Sequence, residues 1–170
     1  VITVPDQRLF ELEKLVKPQK VVPTTVEIVD IAGLVKGASK GEGLGNQFLG
    51  NIRNTDAIIH VLRCFEDENV LREEGVIDPI SDKEIIETEL QLKDIESVEK
   101  KIQRAEKMAK TDPKAKVELE VLHKCKNHLE QGKSIRSLPL SKEEKVAIAD
   151  IFLLTEKPVM YVANVEEASM

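Results

Sequence analysis

The distribution of apolar positions divides the chain into α/β segments and a helical middle. Residues 1–4 form a short β-rich run, and residues 9–16 carry apolar side chains at helical spacing. A second helix is predicted over residues 46–53, where apolar residues share one face. Nearly continuous β-branched or apolar runs predict buried parallel strands at residues 24–30, 57–64 and 158–163. This order of elements predicts an α/β fold.

Residues 81–131 have the composition of long surface helices, with one proline, no glycine, no aromatic residue and many charges. Apolar residues that alternate in steps of three and four predict a coiled-coil seam at Ile95, Val98, Ile102, Ala105 and Ala109. The cap-and-proline signal Thr111-Asp112-Pro113 interrupts the seam. A second apolar stripe then runs from Val117 to Gly132, a predicted C-terminal cap. The pattern predicts an antiparallel α-helical coiled-coil hairpin.

Local signals set the expected boundaries of this hairpin. Two capping-box patterns predict helix starts, at Ser81 with Glu84 and at Ser141 with Glu144. We expect the hairpin to occupy residues 81–134 as an insertion. The remaining residues, 1–80 and 135–170, are expected to form one discontinuous α/β domain.

Composition and charge narrow the class of protein. No apolar run reaches the roughly 20 residues that a membrane-spanning helix requires, so no membrane association is expected. A secretion signal is not apparent, and Cys64 and Cys125 have no CxxC partner, which favours reduced thiols and a cytoplasmic location. The net charge of −6 disfavours a protein that coats nucleic acid by bulk electrostatics, although a local basic patch can still contact RNA, and no DNA partner is expected.

The candidate chemistry begins at Asp30, where a predicted core strand ends. Its carboxylate can hold Mg²⁺ through water, and Gly33 lets its backbone N–H approach a γ-phosphate. The D-x-x-G pattern alone is common, and an aspartate that caps a turn is the plainer interpretation. Six of the eight glycines fall between Gly33 and Gly50, which favours a nucleotide switch. A dinucleotide-binding loop is disfavoured, because Asn46 stands where G-x-G-x-x-G needs its last glycine.

The sequence from Asp30 to Leu49 closely resembles the third G motif and switch II of the Obg superfamily. Ala32 stands where Obg proteins proper have proline, as in the YchF branch, also called Obg-like ATPases. The similarity continues through residues 51–57 and 63–66. It implies a P-loop nucleotide hydrolase (G-domain) sheet, with ATP or GTP as substrate and Mg²⁺ as cofactor. Gly33 is then expected to take part in catalysis and Asp30 to bind the metal.

The residues after the last predicted strand bear on the choice of base. Asn164-Val165-Glu166-Glu167 lies where guanine-specific relatives carry N-K-x-D. The resemblance implies that Asn164, Val165 and Glu167 contact the nucleotide. Glu167 is one methylene longer than aspartate and is not expected to reproduce the guanine clamp, while an unpaired buried carboxylate penalises the wrong base. ATP is therefore expected over GTP, and a helix-capping role for Asn164 is compatible with this.

Two positions concern the attacking water. Leu34 stands where Ras-like enzymes carry a glutamine, and leucine cannot orient water by hydrogen bonding. A histidine in the loop after Cys64-Phe65-Glu66 has been assigned that role in the family, but this chain has Arg72 there. Arg72 can stabilise developing phosphate charge, although it cannot act as a base because it stays protonated. The alternative is an exposed loop arginine.

The predicted hairpin tip is basic, with seven basic and two acidic residues between positions 100 and 116. Such a charge run can simply match the helix dipole and keep the hairpin soluble. Similarity to YchF proteins, which associate with ribosomes, supports a second interpretation, contact with ribosomal RNA or ribosomal protein. The residues then expected to bind are Lys100, Lys101, Arg104 and Lys107.

Three other patterns are interpreted as structural. Gly132-Lys133-Ser134 imitates the end of a phosphate-binding loop, but it follows a helix instead of a strand. His123 and His128 lie about 140° apart around a helix, which disfavours a metal site with Cys125. His60 lies in an apolar strand and is expected to be a core histidine.

The resemblance also implies parts that precede or follow this sequence: a Walker A loop, a switch I threonine and a TGS domain. Because the P-loop makes most of the contacts with the nucleotide phosphates, the 170 residues of this sequence alone are expected to be inactive. For the full-length protein we expect a ribosome-associated, Mg²⁺-dependent ATPase whose nucleotide state governs its association. The open alternatives are an Obg-type GTPase with relaxed base specificity and a non-catalytic module that acts through the hairpin.

Overall fold

The computed structural model describes residues 1–31, 44–66, 77–109 and 112–166. Internal contacts divide the chain into two compact units, Val1–Ala32 and Gly33–Met170. None of the helices in the described ranges is both long enough and apolar enough to cross a membrane.

The first unit consists of a helix between two very short strands. Strand β1 (Ile2–Thr3) pairs antiparallel with β2 (Thr25–Val26), and α1 (Gln7–Val16) lies between them in sequence. Asp6 caps α1 by accepting a 2.9 Å hydrogen bond from the Arg8 N–H. The predicted buried strand over residues 24–30 is wrong here: only two residues pair, and both are exposed. A two-residue ladder offers no face large enough for a helix to cover.

The second unit contains a parallel strand pair. Helix α2 (Leu44–Arg53) leads into β3 (Ile58–Arg63), which pairs in register with β4 (Val159–Asn164). The parallel arrangement agrees with the strands predicted from the sequence. The predicted full burial of these strands is wrong, because Val61 is 60% exposed and Met160 is 56% exposed. Apolar residues on the other face of β3 are partly covered, since α3, described next, packs against that strand.

Helices α3 (Pro79–Met108) and α4 (Pro113–Glu130) lie side by side between β3 and β4 in sequence. The predicted capping box at Ser81 is wrong, because Asp78 accepts hydrogen bonds from the N–H groups of Ile80 and Ser81 and the helix begins at Pro79. Helix α4 begins where the sequence predicted, with Asp112 as N-cap and Pro113 in the first turn. An aspartate directly before a proline is the stronger start signal of the two.

The two helices run antiparallel and bury a shared apolar seam. Ion pairs join Glu99 to Lys126 and Lys101 to Glu118 across the helices. The core contains the following buried residues: Val98, Ile102, Ala105, Val121, Leu122, Cys125, Leu129, Ile135, Ile148, Ile151 and Leu153. Val117, predicted to belong to the stripe, is instead 55% exposed. It stands two residues from buried Ala115, which is about 200° around the helix.

The chain returns to β4 through short helical turns. Helix α5 (Lys142–Ile148) begins at Ser141, and both hydrogen bonds of the predicted capping box with Glu144 are present. Turns of 3-10 helix follow the hairpin and α5, at Ile135–Ser137, Ala149–Ile151 and Leu154–Glu156.

A buried carboxylate fastens α3 to the last of these turns. Asp94 is 1% exposed and accepts hydrogen bonds from the N–H groups of Leu154 and Thr155, each 2.8 Å long. The Thr155 hydroxyl donates to the same carboxylate at 2.7 Å and accepts from the Ile135 N–H at 3.1 Å. Burial raises the pKa of Asp94, and the donors from Thr155 and Leu154 act against that shift. The Thr155 side chain therefore connects its own turn, Leu154–Glu156, to α3 and to the turn Ile135–Ser137.

Candidate functional site

The carboxyl ends of β3 and β4 form one edge of the parallel pair. Asn164 is the last residue of β4, and its carbonyl accepts a 2.8 Å hydrogen bond from the Cys64 N–H. Both Asn164 and Val165 are exposed. Ligands of open parallel sheets bind outside the carboxyl ends of the strands. The two described members of the predicted base-binding set thus lie at the edge where a nucleotide is expected.

Arg63 is a further residue at this edge, and no motif in the sequence predicted a site role for it. It stands opposite Asn164 in the strand register. Its guanidinium lies 4.8 Å from the centre of the Phe65 ring, and its Nε donates to the Phe65 carbonyl at 3.1 Å. These contacts hold the Arg63 guanidinium against Phe65, at the strand position that pairs with Asn164. The available sequence signal was the arginine near the end of the predicted strand at residues 57–64.

The predicted metal residue lies in the first unit. Asp30 is exposed and follows β2 by four residues. Its carboxylate oxygens are ligands of the kind that Mg²⁺ prefers, so this residue fits coordination through water. Gly33, Arg72 and Glu167 lie outside the described residues, and their predicted roles stay predictions.

The four basic residues predicted to contact a partner fall into two classes. Lys100 pairs with Glu96, and Lys101 pairs with Glu118 at 2.9 Å and with Asp150 at 2.6 Å. The hydrogen bond to Asp150 is the main cause that raises the pKa of Lys101.

Arg104 and Lys107 are exposed, and no carboxylate in the described ranges forms an ion pair with either of them. Lys114 and Lys116, near the start of α4, are exposed and likewise have no ion pair among the described residues. Four exposed cations without an ion pair among the described residues therefore lie near the end of α3 and the start of α4.

The patterns that were interpreted as structural, and not as sites, have the following surroundings in the structure. Cys125 is fully buried, and the ring Nε2 of His128 lies 2.8 Å from the Ser137 hydroxyl. Among the described residues, no group of three potential ligands could hold a metal. Gly132 follows α4 with a φ of +71°, as a helix terminus requires. His60 is half-buried with its ring centre 5.7 Å from that of Tyr161, and desolvation lowers its pKa.

The chain is similar to proteins of one family over nearly its whole length. The sequence model described as "50S ribosome-binding GTPase" matches residues 14–164. The "Ribosome-binding ATPase YchF" of Escherichia coli O157:H7 is 56% identical over 168 residues, which are 98% of this chain and 46% of that protein. The Bacillus subtilis protein of the same name is 51% identical over the same coverage.

A solved structure of a YchF protein is also similar to this chain over nearly its whole length. The "Structure of the Schizosaccharomyces pombe YchF GTPase" matches with a TM-score of 0.78 and 40% identity, over 98% of this chain and 46% of that one. This chain therefore spans about half the length of the relatives that it matches. The predicted resemblance to YchF and the α/β G-domain fold are confirmed.

Proposed function

Because the chain belongs to the 50S ribosome-binding GTPase family and is similar to its YchF members, we propose that the full-length protein is an Mg²⁺-dependent ATPase. Its nucleotide state would control its association with ribosomes in the cytoplasm. The observation that carries this proposal is the position of Asn164 at the carboxyl edge of the β3–β4 pair. The sequence of the switch motif, Asp30-Ile31-Ala32-Gly33, supports it.

Each proposed site residue has a distinct role. Asp30 holds Mg²⁺ through water, and the Gly33 N–H contacts the γ-phosphate. The bound Mg²⁺ would neutralise phosphate charge as the terminal phosphoryl group is transferred to water. Arg72 contributes positive charge near the same phosphate. Asn164, Val165 and Glu167 contact the base.

The preference for ATP follows from Glu167. In an N-K-x-D motif, the aspartate accepts two hydrogen bonds from guanine. Glutamate at this position displaces the carboxylate by one methylene, and a buried carboxylate without donors disfavours guanine. An Obg-type GTPase with relaxed base specificity is the rival within this class.

Titration of the full-length protein with ATP and GTP tests this assignment. We expect ATP to bind at least about fivefold more tightly than GTP, because a lost pair of hydrogen bonds at a buried carboxylate costs about 1–3 kcal/mol. Glu167→Asp is expected to narrow the difference, and Glu166→Asp, next to it in sequence, serves as the matched control. Equal affinities of the wild-type protein for the two nucleotides would contradict the Glu167 argument.

The helical hairpin is proposed to act as an inserted coiled-coil arm, over residues 81–134 between G-domain parts 1–80 and 135–170, that contacts the ribosome. The exposed charge of Arg104 and Lys107 supports this role, whereas Lys100 and Lys101 are already paired within the molecule. Ribosomal RNA or an acidic ribosomal surface would complement these two cations. The rival from another class is a non-catalytic module that binds through the hairpin alone.

A further inference from the structure

The C-terminal end of α2 is fastened to α3. Arg53, the last residue of α2, donates from Nη2 to the Ser97 hydroxyl on α3 at 3.1 Å. The same end of α2 is buried through Leu49 and Ile52, which are 2% and 5% exposed. Because a ten-residue helix about 15 Å long behaves as a rigid element, contacts at this end define where α2 lies against α3.

Lys157 fastens the same end of α2 to the segment that enters β4. Its ammonium group donates to the Arg53 carbonyl at 3.1 Å and to the Thr55 carbonyl. The next residue, Pro158, accepts a 2.9 Å hydrogen bond from the Ile58 N–H, which starts the β3–β4 ladder. A cation at these carbonyls also satisfies groups that a helix end leaves without partners. In the described ranges, no carboxylate forms an ion pair with Lys157.

The face of α3 that receives Arg53 also holds the turn before Lys157. Asp94 precedes Ser97 by three residues, so the two side chains lie on one face of the helix. Asp94 binds the turn at Thr155, two residues before Lys157. A closed set of contacts thus runs from α2 to α3, from α3 to the turn, and from Lys157 back to α2. The Nε of Arg136 adds a fourth tie, a 3.1 Å hydrogen bond to the Lys157 carbonyl.

We propose that Lys157 is a positioning residue that couples α2 to the helical hairpin and to the strand that carries Asn164. This inference rests on the proposed function, because α2 begins directly after the glycine-rich sequence assigned to the nucleotide switch. In this role, Lys157 contacts neither the base nor the phosphates. It fixes the position of α2 against α3, so that a nucleotide-dependent change at α2 alters the hairpin.

The test compares hydrogen–deuterium exchange along α3 in full-length protein bound to a non-hydrolysable ATP analogue and to ADP. In the wild-type protein, exchange rates at α3 amides are expected to differ between the two states by about fivefold or more. Lys157→Met keeps the length of the side chain but removes its donors, and it should bring this ratio close to one. Lys157→Arg should restore most of the ratio, and Lys145→Met, which changes an exposed lysine on α5, should leave it unchanged.

The affinity for ATP, measured on the same variants, separates this inference from the proposed function. Tight ATP binding by Lys157→Met, within about twofold of wild type, together with a lost exchange ratio supports the positioning role. A Lys157→Met protein that keeps the wild-type ratio overturns it and leaves the proposed function intact. Failure of the wild-type protein to bind ATP overturns the proposed function itself, and the inference with it.

Discussion

Thr155 donates both its N–H and its hydroxyl to one oxygen of Asp94, at 2.8 and 2.7 Å, and this buried contact joins α3 to the turn before β4. The second oxygen of Asp94 accepts from the Leu154 N–H. A carboxylate that is removed from water and accepts three hydrogen bonds is stabilising only while all of its partners remain. This contact is one of those that join the helical hairpin to the strand that carries Asn164; the Tyr161 hydroxyl in that strand also donates to Glu87 on α3.

Replacement of Asp94 by asparagine is expected to lower the free energy of unfolding by about 2–4 kcal/mol, because an amide group would face donors from Thr155. Urea unfolding measures the change. The control is Asp150→Asn, which alters an exposed aspartate paired with Lys101 and is expected to cost less than about 1 kcal/mol. Similar losses of unfolding free energy in both variants would contradict a stabilising role for the contact between Asp94 and Thr155.

The two valines on one side of α4 provide a matched test of the core. Val121 is 2% exposed and Val117 is 55% exposed, although both were predicted to lie in the apolar stripe. Val121→Ala is expected to cost about 2 kcal/mol of stability, from lost burial plus a cavity, whereas Val117→Ala should change stability by less than about 0.5 kcal/mol. Thermal or urea unfolding measures both changes. Equal losses of stability in the two variants would favour the predicted stripe over the observed packing.

The buried thiol of Cys125 predicts a dependence of stability on alkaline pH. Burial raises the pKa of Cys125 from 9.0 to about 11 in the folded protein. The folded state therefore keeps a proton that the unfolded state loses, so the stability from this group is complete below pH 9.0 and is lost as the pH rises towards 11. Between about pH 8 and about pH 10, this group should lower the free energy of unfolding by about 1 kcal/mol.

Cys125→Ala isolates this effect from the titration of other groups. The variant should be less stable at neutral pH, but its stability should fall less steeply than that of the wild-type protein over the alkaline range. Parallel pH profiles for the two proteins would show that the Cys125 thiol does not titrate differently on unfolding.

The open charge at the hairpin tip predicts a specific loss of ribosome binding. In full-length protein, Arg104→Gln combined with Lys107→Gln should weaken ribosome co-sedimentation and reduce the salt dependence of binding by about two counterions. The control removes the same charge from two exposed lysines that are paired, through Lys100→Gln and Lys124→Gln. Equal losses in both double variants would mean that overall charge, not these two cations, governs binding.

Local signals in the sequence predicted local structure well. Ser141 with Glu144 and Asp112 with Pro113 mark helix starts in the structure, because their hydrogen bonds join residues at most three positions apart. Ser81 failed as a start because Asp78, three residues earlier, forms the cap instead.

Properties that depend on distant partners were not predictable in this way. Asp94 meets Thr155 across 61 positions, and nothing in the local pattern of either residue indicates the contact. The pairing of Lys101 with Asp150 across 49 positions likewise changes which basic residues remain open to a partner. Burial of a strand depends on what covers its faces, which explains why the apolar runs of β2 and β4 predicted more burial than the structure has.

Control of ribosome association by nucleotide state is the main function proposed for this protein. Its most direct test is the affinity of the full-length protein for ribosomes, measured by co-sedimentation with a non-hydrolysable ATP analogue, with ADP and without nucleotide. We expect the affinities with the ATP analogue and with ADP to differ by about fivefold or more, the range of an ordinary coupling between two sites. Equal affinities in all three conditions would contradict it.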